Sequence, residues 1–192
     1  GYLNATKDRM YCGGRDSKER RSAQTTWAYI LSMLIHDFQP ILAYTTDEAM
    51  AYLPKSLKDG QTFAALLDWF ENPVADEVFE KYLPAYNAMT EARSAFTKAY
   101  EEAQAAGTIS EKTSQAARAE LVLPHDLYEL LAGELGCDLA EPFVCSDVKL
   151  SEGDELACTV LPAEGEKCPR CWNWRTLGAD GLCPRCAKVL KQ

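Results

Sequence analysis

The feature that most constrains this chain is a pair of Cys-x-x-Cys sequences near its C-terminal end. Residues 168–171 and 183–186 both read Cys-Pro-Arg-Cys, with eleven residues between them. Each pair can place two thiolates on one short turn, and two such turns facing each other give four sulfur atoms in a tetrahedron. Zn²⁺ accepts that geometry, and four thiolates leave no coordination position open for a reaction. We therefore predict one structural zinc ion, held by Cys168, Cys171, Cys183 and Cys186.

The side chains around these cysteines suggest a binding surface as well as a metal site. Basic and aromatic residues are interleaved there, and that mixture is typical of proteins that bind nucleic acid. Two alternatives stay open: the cysteines could form two disulfides, or the zinc site could only pack the C-terminus onto its neighbour. The residues concerned are Arg170, Trp172, Trp174, Arg175, Arg185, Lys188 and Lys191.

The other four cysteines favour a reducing compartment. Cys12, Cys137, Cys145 and Cys158 are scattered singly, and three of them lie in or beside apolar segments, as expected of buried free thiols. The first residues lack the basic and apolar regions of a secretion signal, and no apolar run approaches the roughly 18 residues of a membrane span. We therefore expect a cytoplasmic protein with no membrane partner. We also expect the protein to be a monomer.

Charge is distributed unevenly along the 192 residues. The whole chain has a net charge of −9, which argues against a simple polyanion binder. Residues 1–22 and 163–192 each carry six basic and three acidic residues, whereas the stretch between them carries eight basic and 23 acidic residues. A nucleic acid is therefore expected to contact the two ends of the chain and not its acidic middle.

Apolar periodicity and capping signals predict helices in the first part of the chain. Asp16 and Glu19 have the spacing of a capping box, and the apolar residues after them recur at steps of three and four until Phe38. Thr45 and Glu48 have the same spacing and predict the start of a second, short helix.

A longer helical pattern follows. Residues 66–70 form an apolar cluster that we interpret as core packing, and the helical period returns over 76–106. Pro84 should kink or break that helix, and Gly107 is a plausible end for it because glycine accepts the left-handed conformation of a helix C-terminus. These helices are expected to form an antiparallel bundle.

The remaining residues predict a small α/β unit that leads into the cysteine pairs. Residues 119–123, 143–145 and 156–160 have the composition of strands, and 126–135 that of a short helix. The fold class is therefore mainly α, with a helical bundle, a small α/β unit and a C-terminal zinc ribbon. The predicted boundaries of the three parts are 1–107, 108–162 and 163–192.

Six stretches of the chain carry a further indication: residues 7–11 (KDRMY), 16–25 (DSKERRSAQT), 40–42 (PIL) with 45–48 (TTDE), 91–104, 114–117 (SQAA) and 165–172 (GEKCPRCW). In kind and in order they resemble the anticodon-binding helical domain and the ribbon of bacterial-type isoleucyl-tRNA synthetases. The resemblance extends over essentially the whole chain, and residues 165–172 are its most specific part. The chain departs from the family pattern at Gln39, Met50 and Gln104, where that family commonly has Ala, Trp and Arg.

The resemblance implies a tRNA-recognition part of a class I aminoacyl-tRNA synthetase. The catalytic signatures HIGH and KMSKS are not in this sequence, and neither is an editing domain. The chain alone is therefore not expected to be an enzyme, and the ATP-dependent activation of isoleucine would belong to an N-terminal catalytic part of the same protein. This part would hold the anticodon stem-loop of isoleucine tRNA during protein biosynthesis.

The resemblance also suggests which residues contact the tRNA. Single-stranded bases stack on aromatic side chains, while arginine and lysine hold phosphates. Trp172 is expected to stack on an anticodon nucleotide, unless it only caps the small core of the ribbon. Lys7 is expected to make a charged contact with the anticodon loop. The candidates for phosphate contacts are Arg170, Arg175 and Arg185.

Arg9 and Arg21 each fit two roles. Either could contact the tRNA, because both lie in stretches that carry the resemblance. Either could instead pair with an acidic residue of its own chain, Asp8 or Glu19, which is the usual fate of such charges.

Two other functions fit parts of the sequence. Some DNA-repair glycosylases end in a similar ribbon, but that likeness covers only the last thirty residues. Such an enzyme would also need an N-terminal catalytic Pro-Glu and a strand-rich sandwich, which the sequence does not indicate. A structural or protein-interaction module, in which the ribbon only pins the C-terminus, also fits the acidic middle of the chain.

Overall fold

The structure is a computed structural model that describes residues 1–134 and 138–191. About half of the chain is helical, and the strands form a small mixed sheet and a short hairpin. Within the described residues no helix has both the length and the apolar character needed to cross a membrane. In chain order the elements are α1 (Tyr2–Ala5), α2 (Lys7–Cys12), α3 (Lys18–Phe38), α4 (Ala43–Met50), α5 (Asp76–Ala105), β1 (Ala117–Leu123), α6 (His125–Tyr128), α7 (Ala140–Phe143), β2 (Asp147–Glu152), β3 (Ala157–Pro162), β4 (Glu166–Lys167), β5 (Trp174–Arg175) and α8 (Pro184–Leu190).

The chain divides into two compact units. One consists of Arg15–Ala75, and the other combines Gly1–Gly14 with Asp76–Gln192. The mainly helical class, the small mixed sheet and the four clustered cysteines agree with the fold class predicted from the sequence. The predicted boundaries between the helical bundle, the α/β unit and the ribbon, after residues 107 and 162, stay a prediction.

Helix α3 opens the smaller unit and ends as predicted. It begins at Lys18 because the side chain of Ser17 accepts a hydrogen bond from the backbone N–H of Arg20 at 3.2 Å. The cap is therefore Ser17, one residue later than the predicted Asp16. The helix ends at Phe38, ahead of a proline that cannot continue it.

Helix α4 begins earlier than predicted. It starts at Ala43, so Thr45 lies inside the helix and is not its cap, and that capping-box prediction is wrong. Thr46 instead hydrogen-bonds the carbonyl of Leu42 one turn before it, at 3.0 Å. Asp47 accepts the backbone N–H of Ala64 at 2.7 Å and so holds a following turn against the helix. The buried core of this unit consists of Ile35, Met50, Leu53 and Ala64.

The apolar cluster at residues 66–70 is only partly core in this unit, where Leu67 packs against the buried cluster and confirms that part of the prediction. Leu66 is 58% exposed and Trp69 is 83% exposed, so the prediction of core packing is wrong for both. Phe70 is half-buried and places its ring 5.7 Å from that of His36, edge to face. A short apolar run carries no period that distinguishes a buried side from an exposed one.

Helix α5 begins the longer segment of the larger unit and runs through Pro84 without a break. Pro84 is exposed, so water can reach the carbonyl that loses its hydrogen bond there. The helix ends at Ala105 in a Schellman motif, as Gly107 predicted. Gly107 has φ +75°, its N–H donates to Gln104, and the next N–H donates to Ala103 at 2.9 Å.

The three-stranded sheet has β1 in the centre. It pairs in parallel with β2, from Arg118 with Asp147 onward, and antiparallel with β3, whose first residue Ala157 faces Val122. The link from β2 to β3 must therefore cross the end of β1. It does so where the N–H of Gly153 donates to the carbonyl of Leu123 at 2.9 Å.

Alternate residues of β1 face the core of this unit. Ala117, Ala119, Leu121 and Leu123 are at most 1% exposed, the alternation expected for a strand with one buried face. They belong to the same buried cluster as Phe96 of α5. The strand predicted at 119–123 is confirmed by β1, and the one predicted at 156–160 by β3.

Two predictions between these strands need correction. Residues 143–145 are not a strand: α7 ends at Phe143, and Val144 then takes the left-handed conformation with φ +58°. Phe143 is buried because its ring stacks on Phe96 at 5.2 Å. The helix predicted over 126–135 is present as α6 followed by a π-helical stretch over Glu129–Glu134. Its predicted last residue lies outside the described residues.

Candidate metal centre and nucleic-acid interface

The sulfur atoms of Cys168, Cys171, Cys183 and Cys186 form one compact cluster. All four lie within 4.8 Å of one another, and all four residues are at most 6% exposed. The Sγ atoms of Cys171 and Cys183 are 3.8 Å apart, too far for a disulfide bond of about 2.05 Å. Four sulfurs about 2.3 Å from a central zinc-sized ion would be about 3.8 Å apart, so the cluster could hold one metal ion.

No cysteine in the described residues is in a disulfide. The four clustered residues are free thiols, as are Cys12, Cys145 and Cys158. Burial raises the pKa of Cys145 to about 12 and that of Cys158 to about 11, which fits inert structural thiols. The prediction of free thiols is confirmed for Cys12, Cys145 and Cys158, and Cys137 lies outside the described residues.

Each cysteine pair forms a knuckle, a tight turn that presents both sulfurs to the cluster. In the first knuckle (168–171) the N–H of Trp172 donates to the carbonyl of Cys168 at 2.9 Å. The second knuckle (183–186) begins α8, with Pro184 in the first helical turn, where its missing N–H costs nothing. Burial opposes ionisation of Cys168, but backbone N–H groups directed at its sulfur lower its pKa to about 6. Burial instead raises the pKa values of Cys171 and Cys183.

Ser146 joins the ribbon (residues 163–192) to the three-stranded sheet. It is 1% exposed, its hydroxyl donates to the carbonyl of Gln115 at 2.5 Å, and it accepts the N–H of Trp174 at 2.7 Å. The side chain of Gln115 in turn donates to the carbonyl of Cys171 and to the side chain of Asn173, both at 3.3 Å. The ribbon is therefore docked by polar contacts that converge next to the first knuckle.

Replacing Ser146 by alanine should destabilise this junction by about 1–3 kcal/mol. The substitution leaves the N–H of Trp174 and the carbonyl of Gln115 without their buried partner. Chemical denaturation of the metal-loaded protein measures the change in the free energy of unfolding. Ser151→Ala is the matched control, because Ser151 is exposed and its hydroxyl makes a single, longer hydrogen bond, to the carbonyl of Leu121 at 3.3 Å. Equal effects of the two substitutions would contradict the assignment of Ser146 as the junction.

The N-terminal helix α2 lies against both knuckles. The guanidinium of Arg185 pairs with both carboxylate oxygens of Asp8, at 2.7 Å for Nη2 and Oδ1. Arg170 donates to the carbonyl of Cys12 at 2.7 Å, and the Cys12 thiol donates back to the carbonyl of Arg170 at 3.3 Å. The hydrogen bond to Asp8 raises the pKa of Arg185 above its ordinary value. The two basic ends of the sequence are therefore in direct contact.

Comparison with known protein families identifies the helical part of the chain. A family model described as the anticodon-binding domain of tRNA ligase matches residues 1–121. The chain belongs to this family. The match extends from α1 into β1, so the anticodon-binding domain includes α2, while the ribbon lies beyond the matched residues.

Curated relatives resemble this chain over nearly its full length. The isoleucine–tRNA ligase of Lawsonia intracellularis is 34% identical over 209 residues, which is 99% of this chain and 22% of that protein. The isoleucine–tRNA ligase of Neisseria gonorrhoeae (strain NCCP11945) is 36% identical over 193 residues, 97% of this chain and 20% of that protein. The chain therefore spans about a fifth of the length of these relatives, and the likeness includes its ribbon.

Trp172 is the most exposed aromatic side chain of the ribbon. It is 60% exposed and has φ +64°, so the turn that closes the first knuckle directs its indole outward. Lys167 places its ammonium 5.4 Å from the centre of the Trp172 ring and 5.5 Å from that of Trp174. The buried cluster of the ribbon consists of the four cysteines together with Cys12 of α2, and Leu177 and Leu182 pack against it.

The basic residues predicted to contact nucleic acid differ in their surroundings. Lys7, at the start of α2, is exposed, and Arg175 in β5 is half-buried. Arg9 forms an ion pair with Glu141. Arg21 is 68% exposed with its guanidinium 4.0 Å from Asp16, so its acidic neighbour is not the expected Glu19. Whether these residues touch tRNA stays a prediction.

Sequence reasoning missed the residues that assemble the site. Asp8, Cys12, Gln115 and Ser146 are polar residues of ordinary appearance, and their partners lie 28 to 177 residues away in the chain. One signal was available: both knuckles place an arginine between a proline and the second ligand. That repetition indicates a shared structural task for Arg170 and Arg185.

Proposed function

We propose that this chain is the C-terminal anticodon-recognition part of an isoleucine–tRNA ligase and that it grips the anticodon stem-loop of isoleucine tRNA. Two findings together support this proposal. The chain belongs to a family of anticodon-binding domains, and isoleucine–tRNA ligases are similar to it over 97–99% of its length. Activation of isoleucine with ATP would belong to the rest of such a protein. The chain acts here as a monomeric RNA-binding part.

The arrangement of Trp172 and Lys7 supports this function. An exposed indole beside the ammonium of Lys167 offers a flat face for an unstacked base and a positive charge for the neighbouring phosphate. Lys7 is on α2, which lies directly against the ribbon. We assign stacking to Trp172, a charged contact to Lys7 and a phosphate contact to Arg175. Arg9, Arg21, Arg170 and Arg185 are secondary candidates, because each has an acidic or carbonyl partner within the chain.

We assign one Zn²⁺ to the four-cysteine cluster. The donors are all thiolates, the residues are buried, and the spacing of the sulfurs suits tetrahedral coordination. A closed site of this kind has no position for a substrate, so the ion would hold the two knuckles together and perform no catalysis.

Binding of the chain to isoleucine tRNA should be weak and should fall steeply as salt increases, because phosphate contacts release bound cations. Trp172→Ala should weaken binding about tenfold, which is the effect expected from losing the stacking of one base. Fluorescence titration with isoleucine tRNA and with an unrelated tRNA measures both effects. Trp69→Ala is the matched control, because Trp69 is an exposed indole in the other unit.

The outcome of this titration separates the candidate functions. Equal affinity for the two tRNAs, together with no effect of Trp172→Ala, would favour a structural or protein-interaction module. Tight binding of duplex DNA would favour the glycosylase-like alternative, against which the family match over residues 1–121 already speaks. No isoleucine-dependent exchange of pyrophosphate into ATP is expected, and such exchange would contradict the assignment.

A further inference from the structure

The arginines of the two knuckles reach opposite ends of one helix. Arg170 lies between the ligands Cys168 and Cys171, and its guanidinium contacts Cys12, the last residue of α2. Arg185 lies between the other two ligands, and its guanidinium contacts Asp8 in the first turn of α2. Each end of α2 is thus attached to a different knuckle.

At the C-terminal end of α2, Arg170 makes a double connection. Its Nη1 donates to the carbonyl of Cys12 at 2.7 Å, and it lies 3.5 Å from the sulfur of Cys186. Carbonyls at a helix end have no partner within the helix, and a cation there satisfies them and the helix dipole. One guanidinium therefore joins the helix end to a metal ligand of the second knuckle.

At the N-terminal end, the pair of Arg185 and Asp8 is bidentate. Both guanidinium nitrogens face both carboxylate oxygens, the arrangement that gives an ion pair its strongest directional preference. Arg185 is fixed in direction because it lies in α8 between two metal ligands. The position of Asp8 is therefore set by the second knuckle.

We propose that Arg170 and Arg185 are positioning residues that form a metal-dependent clamp on α2. A metal ion would fix the two knuckles relative to each other, and only then can one helix be held at both ends. The clamp would hold Lys7, which begins α2, in a defined place beside the ribbon. This inference rests on the proposed metal site and tRNA function, and it gives the two arginines a task other than phosphate binding.

Hydrogen exchange of the backbone amides of α2 tests the clamp in the zinc-loaded chain. Arg185→Gln and Asp8→Asn should each speed that exchange roughly threefold to tenfold, and the double variant should add little to either one. Lys188→Gln is the matched control, because it removes a charge from the same helix α8 at an exposed position. Amides of β1 are the internal reference and should not change.

Conservative variants distinguish positioning from general stability. Asp8→Glu keeps the carboxylate and should recover most of the protection that Asp8→Asn loses. Arg170→Gln should speed α2 exchange and also quicken the release of Zn²⁺ to a chelator, because Arg170 contacts Cys186. Unchanged α2 exchange in both arginine variants, with zinc still bound, would overturn the clamp.

Removal of zinc by a chelator provides the second test. We expect α2 amides to exchange at least as fast as in the Arg185→Gln variant while β1 amides stay protected. Protection of α2 that survives the loss of zinc would overturn the coupling. A purified chain without bound zinc would instead refute the proposed metal site. Failure of the zinc-loaded chain to bind isoleucine tRNA, with α2 still protected, would refute the proposed function, so each failure is recognisable.

Discussion

Replacing Cys171 and Cys186 together by alanine is expected to reduce bound zinc from one ion per chain to nearly none. Each knuckle would keep a single thiolate, and two thiolates cannot close a tetrahedral site. Structural zinc contributes about 10–16 kcal/mol to the folding of small zinc domains at neutral pH, so the ribbon should lose its structure. Elemental analysis of the purified chain measures the metal, and limited proteolysis within residues 163–192 reports the ribbon.

The matched control for this experiment is Cys158→Ala. Cys158 is a half-buried free thiol on β3, packed against the core of the sheet and outside the four-cysteine cluster. That substitution removes a sulfur without removing a ligand and should leave one zinc ion bound. Full retention of zinc in the double variant would refute the assignment of the ligands.

The sheet should survive loss of the ribbon. Its buried cluster is formed by residues of β1, α5, α7 and β3, whereas the cysteines belong to a separate cluster. The ribbon and the sheet are joined by hydrogen bonds of Ser146 and Gln115 and by Trp174, which packs against the buried cluster of the sheet. We therefore expect the amide of Leu121 to stay protected in the double variant while those of β4 and β5 exchange freely.

The parts of the fold that sequence predicted well are those decided by neighbouring residues. The cysteine spacing defined the cluster, because knuckle geometry is local. The end of α3 at Phe38 and the Schellman motif at Gly107 follow from a proline and a glycine a few residues away. The resemblance to a synthetase family added the function, which spacing alone did not.

The errors occur where distant residues decide. The run Phe143 to Cys145 is apolar enough for a strand, but Phe143 ends a short helix instead, because it is buried by stacking on Phe96 in α5. The cap of α3 is a different, local error: Ser17 takes the place of Asp16, a difference of one residue that spacing cannot resolve. Parallel pairing of β1 and β2 also depends on partners about 30 residues apart.

Residues far apart in the sequence also decide the surroundings of the basic residues in the candidate binding site. Arg170 and Arg185 are candidates for phosphate contacts because basic residues near aromatics suggest a nucleic-acid surface, and that role stays a prediction. In the structure Asp8 and the carbonyl of Cys12 are their partners, more than 150 residues away in the chain. A positive charge in a sequence does not reveal whether its partner is a ligand or its own protein.

Gly165→Ala should damage the ribbon while leaving every metal ligand in place. Gly165 has φ +88°, and a Cβ added there would lie 2.5 Å from the backbone carbonyl of Arg175. That carbonyl belongs to β5, whose Arg175 pairs with Glu166 directly after the glycine, so it cannot move without opening the hairpin. We expect the positive φ to lower the free energy of unfolding by about 1–2 kcal/mol and the steric overlap to lower it by about 1–3 kcal/mol more.

Gly181→Ala separates these two contributions. Gly181 has φ +70° but no heavy atom within 4 Å of an added Cβ, so it should carry only the conformational cost. Denaturation of both variants, and their rates of zinc release to a chelator, measure the difference. If Gly165→Ala loses zinc no faster than Gly181→Ala, the close approach of β4 and β5 does not hold the ion. Faster loss from Gly165→Ala would mean that the backbone of the hairpin, and not the four thiolates alone, determines how tightly the metal is held, because all four ligands are unchanged.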